Sequence, residues 1–168
     1  MAWFKKTRKP IEAKDKPSSR VPEGLWVKCP ACDEVLYGAD LEWTRIMQQS
    51  LGAVDTTRAC TIWGTNKKLS APHAALINGT YGHSLDYDDV LSMMPAHPSA
   101  VILSALMSAM AATDGTPVSG EDFIEAYIVG VEVGGKLGVG MTNDHYQRGY
   151  HATGTLALFS GLASLCKL

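Results

Sequence analysis

The sequence of 168 residues has no uninterrupted apolar run of about 20 residues, the length that a helix needs to cross a bilayer. The basic start MAWFKKTRK is not followed by the apolar stretch of a secretory signal peptide. The sequence therefore predicts a protein without a membrane span. A closely spaced cysteine pair in a chain without a signal fits the reducing cytoplasm, where we expect the protein to reside.

Cysteine is also scarce, and four cysteines in a chain of this size do not form a disulfide scaffold. Cys29 and Cys32 have the CxxC spacing of a zinc knuckle, but a zinc ribbon needs four ligands and a second CxxC is missing. These two cysteines are therefore weak metal candidates, with zinc as the ion. Cys166 lies in an apolar segment, and we expect it in the core.

Motifs for nucleotides and nucleic acids are missing as well. Gly135, Gly138 and Gly140 do not form a GxGxxG loop, and no predicted strand precedes them. Residues 1–20 carry seven Lys or Arg and two acidic residues, but no basic face interleaved with aromatic residues follows. We expect a solvated, disordered tail rather than a nucleic-acid-binding arm.

What the chain does have is a series of apolar segments with helical spacing. Residues 43–54 favour an amphipathic helix, and Ser70 followed by Pro72 predicts a helix start, with the helix continuing to about Leu85. Further apolar helices are predicted to start near Pro98, Ser119 and His151. We therefore predict an all-α helical bundle at 43–168, after a disordered basic tail at 1–21 and a half zinc-ribbon-like segment at 22–42.

Two patterns predict how these helices pack. Gly130, Gly134 and Gly138 repeat every four residues, the spacing that lets two helices approach closely. The methionines are expected to fill the core, namely Met93, Met94, Met107 and Met110. Residues 142–150 are polar and predict a loop.

The stretch from His73 to Ser99 concentrates three His and three Asp in 27 residues. Buried charges need partners, because an unpaired buried charge is costly. His83 and Asp86 are three residues apart, so a helix that reached Asp86 would place a carboxylate beside an imidazole and fix its tautomer or charge. His97 lies in a short segment between two prolines. A solvated polar helix end would explain the same composition without a site.

A second polar group, His151, Thr153 and Thr155, stands at the start of the last apolar helix, where free N–H groups can hold a carboxylate. Proton transfer beside a bound carboxylate needs an acid or base and donors for the developing charge. His97 and His151 suit the catalytic role, with Asp86 orienting an imidazole or moving a proton. Three residues are candidates for substrate binding: His83, Thr153 and Thr155. A helix cap with a surface histidine is the simpler alternative.

Three motifs, AALINGTYGHSLDYDD, HPSA and GYHATGT, together resemble the MmgE/PrpD family in their order and spacing, from about residue 43 to the end. The family includes 2-methylcitrate dehydratase and cis-aconitate decarboxylase. The resemblance implies a cofactor-free lyase acting on a small polycarboxylate. It also implies that Asp86, His97 and His151 line the active site.

The sequence departs from the family pattern in three ways. A Thr that some members carry four residues after the matched Asp is Val90 here, and the linker from Asp86 to His97 is one residue longer. The family site further needs a Lys and a Tyr from downstream regions, which would lie beyond Leu168 together with a lid-like second domain. We therefore expect the chain to be an incomplete part of the lyase, inactive alone.

The segment PEGLWVKCPACDEVLY, residues 22–37, resembles the N-terminal zinc ribbon of the acetyl-CoA carboxylase carboxyltransferase beta subunit, with the second CxxC missing. The two resemblances join near residue 42. Three explanations of this join are open: a genuine fusion, a recombination product and a gene-prediction error. The join also leaves a zinc-ribbon-like binding module as an alternative function.

We expect a homo-oligomer, because the apolar helices would otherwise expose large apolar patches. A metal site in the central stretch is a further alternative to the cofactor-free lyase, since suitable ligand atoms are present. Its candidate ligands are His83, Asp86, Asp88, Asp89 and His97.

Overall fold

The computed structural model describes residues 26–28, 35–37, 41–56, 59–113 and 116–168. The predicted basic tail at 1–21 lies outside these residues. So do the candidate zinc ligands Cys29 and Cys32.

Seven helices and two small antiparallel sheets make up the described secondary structure. The helices are α1 (Glu42–Val54), α2 (Ala71–His83), α3 (Pro98–Ala112), α4 (Gly120–Met141), α5 (Asp144–Gln147), α6 (Ala152–Thr155) and α7 (Ala157–Lys167). The strands are β1 (Trp26–Lys28), which pairs with β2 (Val35–Tyr37), and β3 (Cys60–Thr61), which pairs with β4 (Lys68–Leu69). The predominantly helical architecture confirms the fold class predicted from the sequence.

Helix α3 is the central element, because it packs against α2, α4 and α7. Its Ile102 and Leu106 are fully buried against Ala126 of α4. A second apolar cluster lies beneath α2, where Ile77 packs with Cys60 and with other residues of the β3–β4 hairpin. The two clusters fix both sides of the α2–α3 pair, which carries the polar stretch between its helices.

The glycines of α4 allow the predicted close approach. A Cβ on Gly130 would overlap the Ser164 side chain and the Ser160 carbonyl of α7. A Cβ on Gly138 would overlap Met93 and Met94 in the loop before α3. Glycine at these positions therefore brings α7 onto α4, and the α2–α3 loop onto the end of α4.

Helix starts and ends differ in detail from the sequence prediction. Ser119 caps α4 as the predicted helix start requires, since its Oγ accepts a hydrogen bond from the backbone N–H of Asp122 at 3.0 Å. Helix α2 ends at His83 rather than near Leu85, and the Ser70 hydroxyl donates to the Asp55 carboxylate instead of capping the helix. The predicted loop at 142–150 contains the short helix α5.

Three expectations about the core were wrong. Cys166 is exposed, because α7 turns that position away from α4 and α3. Met93 and Met107 are about half exposed, whereas Met94 is fully buried. Apolar composition all round a helix does not bury every face when only some faces meet a neighbour.

No described helix is both long and apolar enough to cross a bilayer.

Candidate functional site

The first half of the site forms where α2 ends. Ser84 caps the helix, and the Asp86 N–H donates to the His83 carbonyl at 2.9 Å, which closes a tight turn. Asp86 adopts a left-handed backbone with φ of 54°, a conformation that Asp tolerates better than most residues. This turn reverses the chain, so that Asp88 rather than Asp86 reaches the His83 ring.

The second half is the loop that leads into α3. Leu91 and Ala96 form an isolated antiparallel bridge, with the Leu91 N–H donating to the Ala96 carbonyl at 3.0 Å. Met94, fully buried, anchors the loop against α4. The bridge and the buried Met94 fix the conformation of the loop, which places His97 at the N-cap position of α3.

These two halves bring four side chains together, His83, Asp86, Asp88 and His97, which we call the His83–His97 cluster. His83 Nδ1 lies 3.0 Å from Asp88 Oδ1, and His97 Nδ1 lies 3.3 Å from the same oxygen. His97 Nε2 lies 3.6 Å from Asp86 Oδ1. The two imidazole rings are tilted by 46° with centroids 4.3 Å apart. One ligand atom from each of the four residues lies within 4.8 Å of all the others, so the group could hold a metal ion.

Burial divides the cluster into an inner and an outer part. The side chains of Asp88 and His97 are only 12% and 16% exposed, whereas that of Asp86 is 79% exposed. Although His97 Nδ1 lies near Asp88, it is buried without a hydrogen bond to any described residue, because the 3.3 Å contact lacks hydrogen-bond geometry. The inner part therefore holds a ring nitrogen with unused bonding capacity, and the outer part faces solvent.

The GYHATGT segment meets the cluster through the backbone. The His97 N–H donates to Thr153 Oγ1 at 3.0 Å, which ties the start of α3 to α6. His151 is the N-cap of α6 and is exposed, and among the described residues its side chain makes no hydrogen bond or ion pair to the cluster. Thr155 Oγ1 instead contacts His145 Nε2 at 2.8 Å.

A cavity of about 650 Å³ lies beside the cluster, between α2 and α3. His83 and Thr153 form part of its wall, and most of the remaining wall is apolar. Trp43 and Ser84 also line it and are joined by an indole-to-hydroxyl hydrogen bond at 3.4 Å. The cavity is large enough for a small organic ligand, and its polar groups are few and localised.

The structure thus places the predicted site residues unequally. His83, Asp86 and His97 meet in one cluster, and Thr153 joins them through the His97 backbone. His151 is the N-cap of α6 and Thr155 is its last residue, and among the described residues neither side chain bonds to the cluster. The bridging position of Asp88 between two histidines was missed, because the predicted helix ran too far and paired His83 with Asp86.

The comparison with known families agrees with the three sequence motifs. The MmgE/PrpD N-terminal domain matches residues 34–168, which is most of the chain. The chain belongs to the MmgE/PrpD family. The cluster and the Thr153 contact therefore lie in the N-terminal domain of this family.

Two relatives indicate the kind of protein that carries this domain. The cis-aconitate decarboxylase-like protein oryM of Aspergillus oryzae is 30% identical over 122 residues, covering 70% of this chain and 25% of the relative. Human cis-aconitate decarboxylase is 35% identical over 103 residues, covering 60% of this chain and 21% of the relative. The chain spans about a quarter of the length of these relatives.

A third relative supports the other resemblance. The acetyl-coenzyme A carboxylase carboxyl transferase subunit beta of Pelobacter propionicus is 45% identical over 42 residues, 25% of this chain and 15% of the relative. The chain is thus similar to two unrelated families, as its sequence predicts.

Proposed function

We propose that this chain supplies one wall of the active site of a lyase that dehydrates or decarboxylates a small polycarboxylate such as cis-aconitate or 2-methylcitrate. The observation that carries the proposal is the position of His97. Its ring lies between two carboxylates and 4.3 Å from the ring of His83, and His83 in turn lines a cavity of ligand size.

His97 is the proposed proton-transfer residue. The reaction needs a group that exchanges a proton next to a substrate carboxylate, and imidazole does this near neutral pH. Asp88, largely buried, lies 3.3 Å from the ring on its inner side, while Asp86 is exposed and can orient the ring or relay a proton to solvent. In this assignment His151 is a second acid or base. It is exposed and stands two residues from Thr153, so it would approach the substrate from the solvent side.

The surroundings of His97 offer partial positive charge to an anionic substrate. The N-terminus of α3 adds a favourable partial positive charge at His97. His83 and Thr153 in the cavity wall are the proposed substrate contacts, with Thr155 as a further candidate.

Several parts of this proposal come from the resemblance to the family. We propose that the reaction needs no cofactor, that the protein acts in the cytoplasm, and that it works as a homo-oligomer without membrane or nucleic acid. A Lys and a Tyr from regions beyond Leu168 are proposed to complete the site. We therefore expect the present chain to bind substrate without turning it over at a useful rate, because losing members of a catalytic group costs orders of magnitude in rate.

The test is calorimetric titration of the purified chain with cis-aconitate and with 2-methylcitrate, together with an assay of substrate loss. We expect saturable binding of at least one compound, lost in His97→Ala and retained in Lys136→Gln, since the exposed Lys136 pairs with Glu132 and lies outside the cluster. The absence of binding, or binding that survives His97→Ala, would refute the proposed site. Turnover that disappears in His97→Ala would show that the chain needs no further domain.

A zinc-binding module is the second candidate function, favoured by the pairing of β1 with β2. Trp26 lies opposite Tyr37 and Lys28 opposite Val35, so the two strands bracket the segment that contains Cys29 and Cys32. Two cysteines do not close a zinc site, so a shared ion between two chains is proposed. Zinc that co-purifies with the chain and falls by half an equivalent per chain in Cys29→Ser would support this function.

A further inference from the structure

We propose that the His83–His97 cluster is a binding site for a divalent transition-metal ion of the zinc class. His83, Asp88 and His97 supply the inner ligands, and Asp86 supplies a fourth ligand from the solvent side. The inference does not rest on the proposed lyase function, because it follows from the geometry of the four side chains.

The separations between ligand atoms match those around a tetrahedral ion. Zinc binds imidazole nitrogen and carboxylate oxygen at about 2.0–2.2 Å, so neighbouring ligand atoms lie about 3.3–3.5 Å apart. His83 Nδ1 and His97 Nδ1 lie 3.0 and 3.3 Å from Asp88 Oδ1, close to this spacing. One ligand atom from each of the four residues, Asp86 included, lies within 4.8 Å of the others. The Asp86 side chain is 79% exposed, so its carboxylate can rotate toward an ion held by the three inner ligands.

The second observation is the state of His97. Its Nδ1 is buried and, among the described residues, lacks a hydrogen bond, although buried polar atoms are normally paired. The ring also lies 4.3 Å from that of His83, where two protonated rings would repel each other. A bound cation would use the unpaired lone pair and bring both neutral rings and both carboxylates into one favourable arrangement.

The ligand set selects the class of ion. Imidazole nitrogen suits zinc and other late transition metals, whereas magnesium and calcium prefer oxygen ligands throughout. Asp89 is not a ligand in this proposal, because its Oδ1 accepts a hydrogen bond from the Ser99 N–H at 3.2 Å. Asp89 therefore provides a matched control, an acidic residue next to Asp88 with a different task.

The proposed ion and the proposed reaction exclude each other at His97. A metal-bound ring nitrogen cannot exchange a proton, so zinc would compete with the lyase chemistry rather than assist it. Zinc binding can consequently be demonstrated whether or not the chain binds a polycarboxylate.

The test is calorimetric titration of zinc chloride into the full chain carrying Cys29→Ser and Cys32→Ser, which removes the other candidate zinc ligands. We expect one zinc per chain. Asp88→Asn and His83→Gln should each weaken binding by more than the roughly tenfold effect of losing an outer-shell partner. Asp89→Asn and His145→Gln should leave the affinity unchanged.

A spectroscopic measurement on the intact cluster guards against variants that fail to fold. In the same background, zinc should shift the ring nitrogen resonances of His83 and His97 and leave those of His73 and His145 in place. The proposal is overturned if the background chain binds no zinc, if Asp88→Asn binds as well as its parent, or if the shifted resonances belong to other histidines.

Discussion

Two groups of Asp and His lie at opposite ends of α2 and use the same chemistry differently. At the N-terminal end, Asp55 Oδ2 accepts hydrogen bonds from the Ser70 N–H at 2.8 Å and the Ser70 hydroxyl at 2.6 Å, and lies 2.7 Å from His73 Nδ1. We call these three residues the Asp55 clamp. At the C-terminal end lies the His83–His97 cluster, which has an exposed carboxylate and a ring nitrogen without a hydrogen bond to any described residue.

The difference separates structural from functional use of the same residue types. The Asp55 side chain is only 4% exposed, and its carboxylate joins the end of α1 to the start of α2. The inward-facing atoms of the clamp are therefore committed to holding helices together. The cluster, in contrast, keeps atoms that can bind a ligand. It should therefore contribute less to the stability of the fold than the clamp does, and more to ligand binding.

The largest expected effect comes from Gly138→Ala, because this substitution displaces the loop that supports the cluster. The new Cβ would overlap the Met93 carbonyl and Met94, so the loop that presents His97 must move. We expect a loss of about 3 kcal/mol in the free energy of unfolding, at the upper end for overpacking, and loss of ligand binding at the cluster. Urea unfolding and calorimetry measure the two effects.

Gly140→Ala is the matched control, since a Cβ there meets no atom of the described residues within 4 Å. In an exposed helical position this change should stabilise the chain by up to about 1 kcal/mol. Equal destabilisation by both substitutions would show that the lost stability comes from the change within helix α4 rather than from displacement of the His97 loop.

A smaller effect is expected from Asp55→Asn in the clamp. The amide keeps the shape of the carboxylate but loses its charge, which weakens the bonds to Ser70 and His73. We expect a loss of about 2 kcal/mol in the free energy of unfolding, because hydrogen bonds to charged groups contribute more than neutral ones. The comparison variant Asp88→Asn should lose about 1 kcal/mol or less, since His83 is partly exposed and can bond to water. If Asp88→Asn proved the more destabilising change, the assignment of structural and functional groups would have to be reversed.

The sequence predicted the helices well but not the division between these two groups. Apolar spacing and helix-start signals located α1 to α4, because burial of one face and capping are local properties. The density of His and Asp pointed to the region from His73 to Ser99, yet nothing local distinguishes His73 in a clamp from His83 in a cluster. That distinction depends on Asp55, which lies 18 residues earlier, and on the turn at Asp86, which ends α2 sooner than predicted.

Contacts between residues that are far apart in the chain also could not be predicted from the sequence. The contact between the His97 N–H and Thr153 spans 56 positions, and the family resemblance grouped their motifs without showing that the backbone joins them. The exposure of Cys166 was mispredicted for the same reason, because an apolar segment does not reveal which of its faces meets a neighbour.

The Thr153 contact gives a third prediction, with an expected effect below that of the clamp. Thr153→Val keeps the side-chain shape but removes the acceptor for the His97 N–H, so the start of α3 loses one hydrogen bond. We expect a loss of about 1 kcal/mol in stability and a measurable shift of the His97 ring resonances. Thr153→Ser retains the hydroxyl and should restore both. Unchanged His97 resonances in Thr153→Val would show that Thr153 does not position the ring.

The prediction with the smallest effect on stability concerns Cys60. It tests whether the region beneath α2 stays closed. This thiol is buried under α2 near the clamp and donates to the Ser108 carbonyl at 3.1 Å, and burial raises its pKa. The thiolate is the reactive form, so Cys60 should react with iodoacetamide much more slowly than the exposed Cys166.

Because the raised pKa favours the protonated thiol in the folded state, the contribution of Cys60 to stability is present at neutral pH. That contribution is lost as pH rises above about 8.5, where the unfolded thiol ionises. Peptide mapping by mass spectrometry after timed alkylation at pH 7 measures both sites in one sample, and Asp55→Asn should raise the Cys60 rate selectively. Equal rates at Cys60 and Cys166 in the unmodified sequence would mean that the region beneath α2 opens freely, and the contrast between a closed clamp and an open cluster would then not hold.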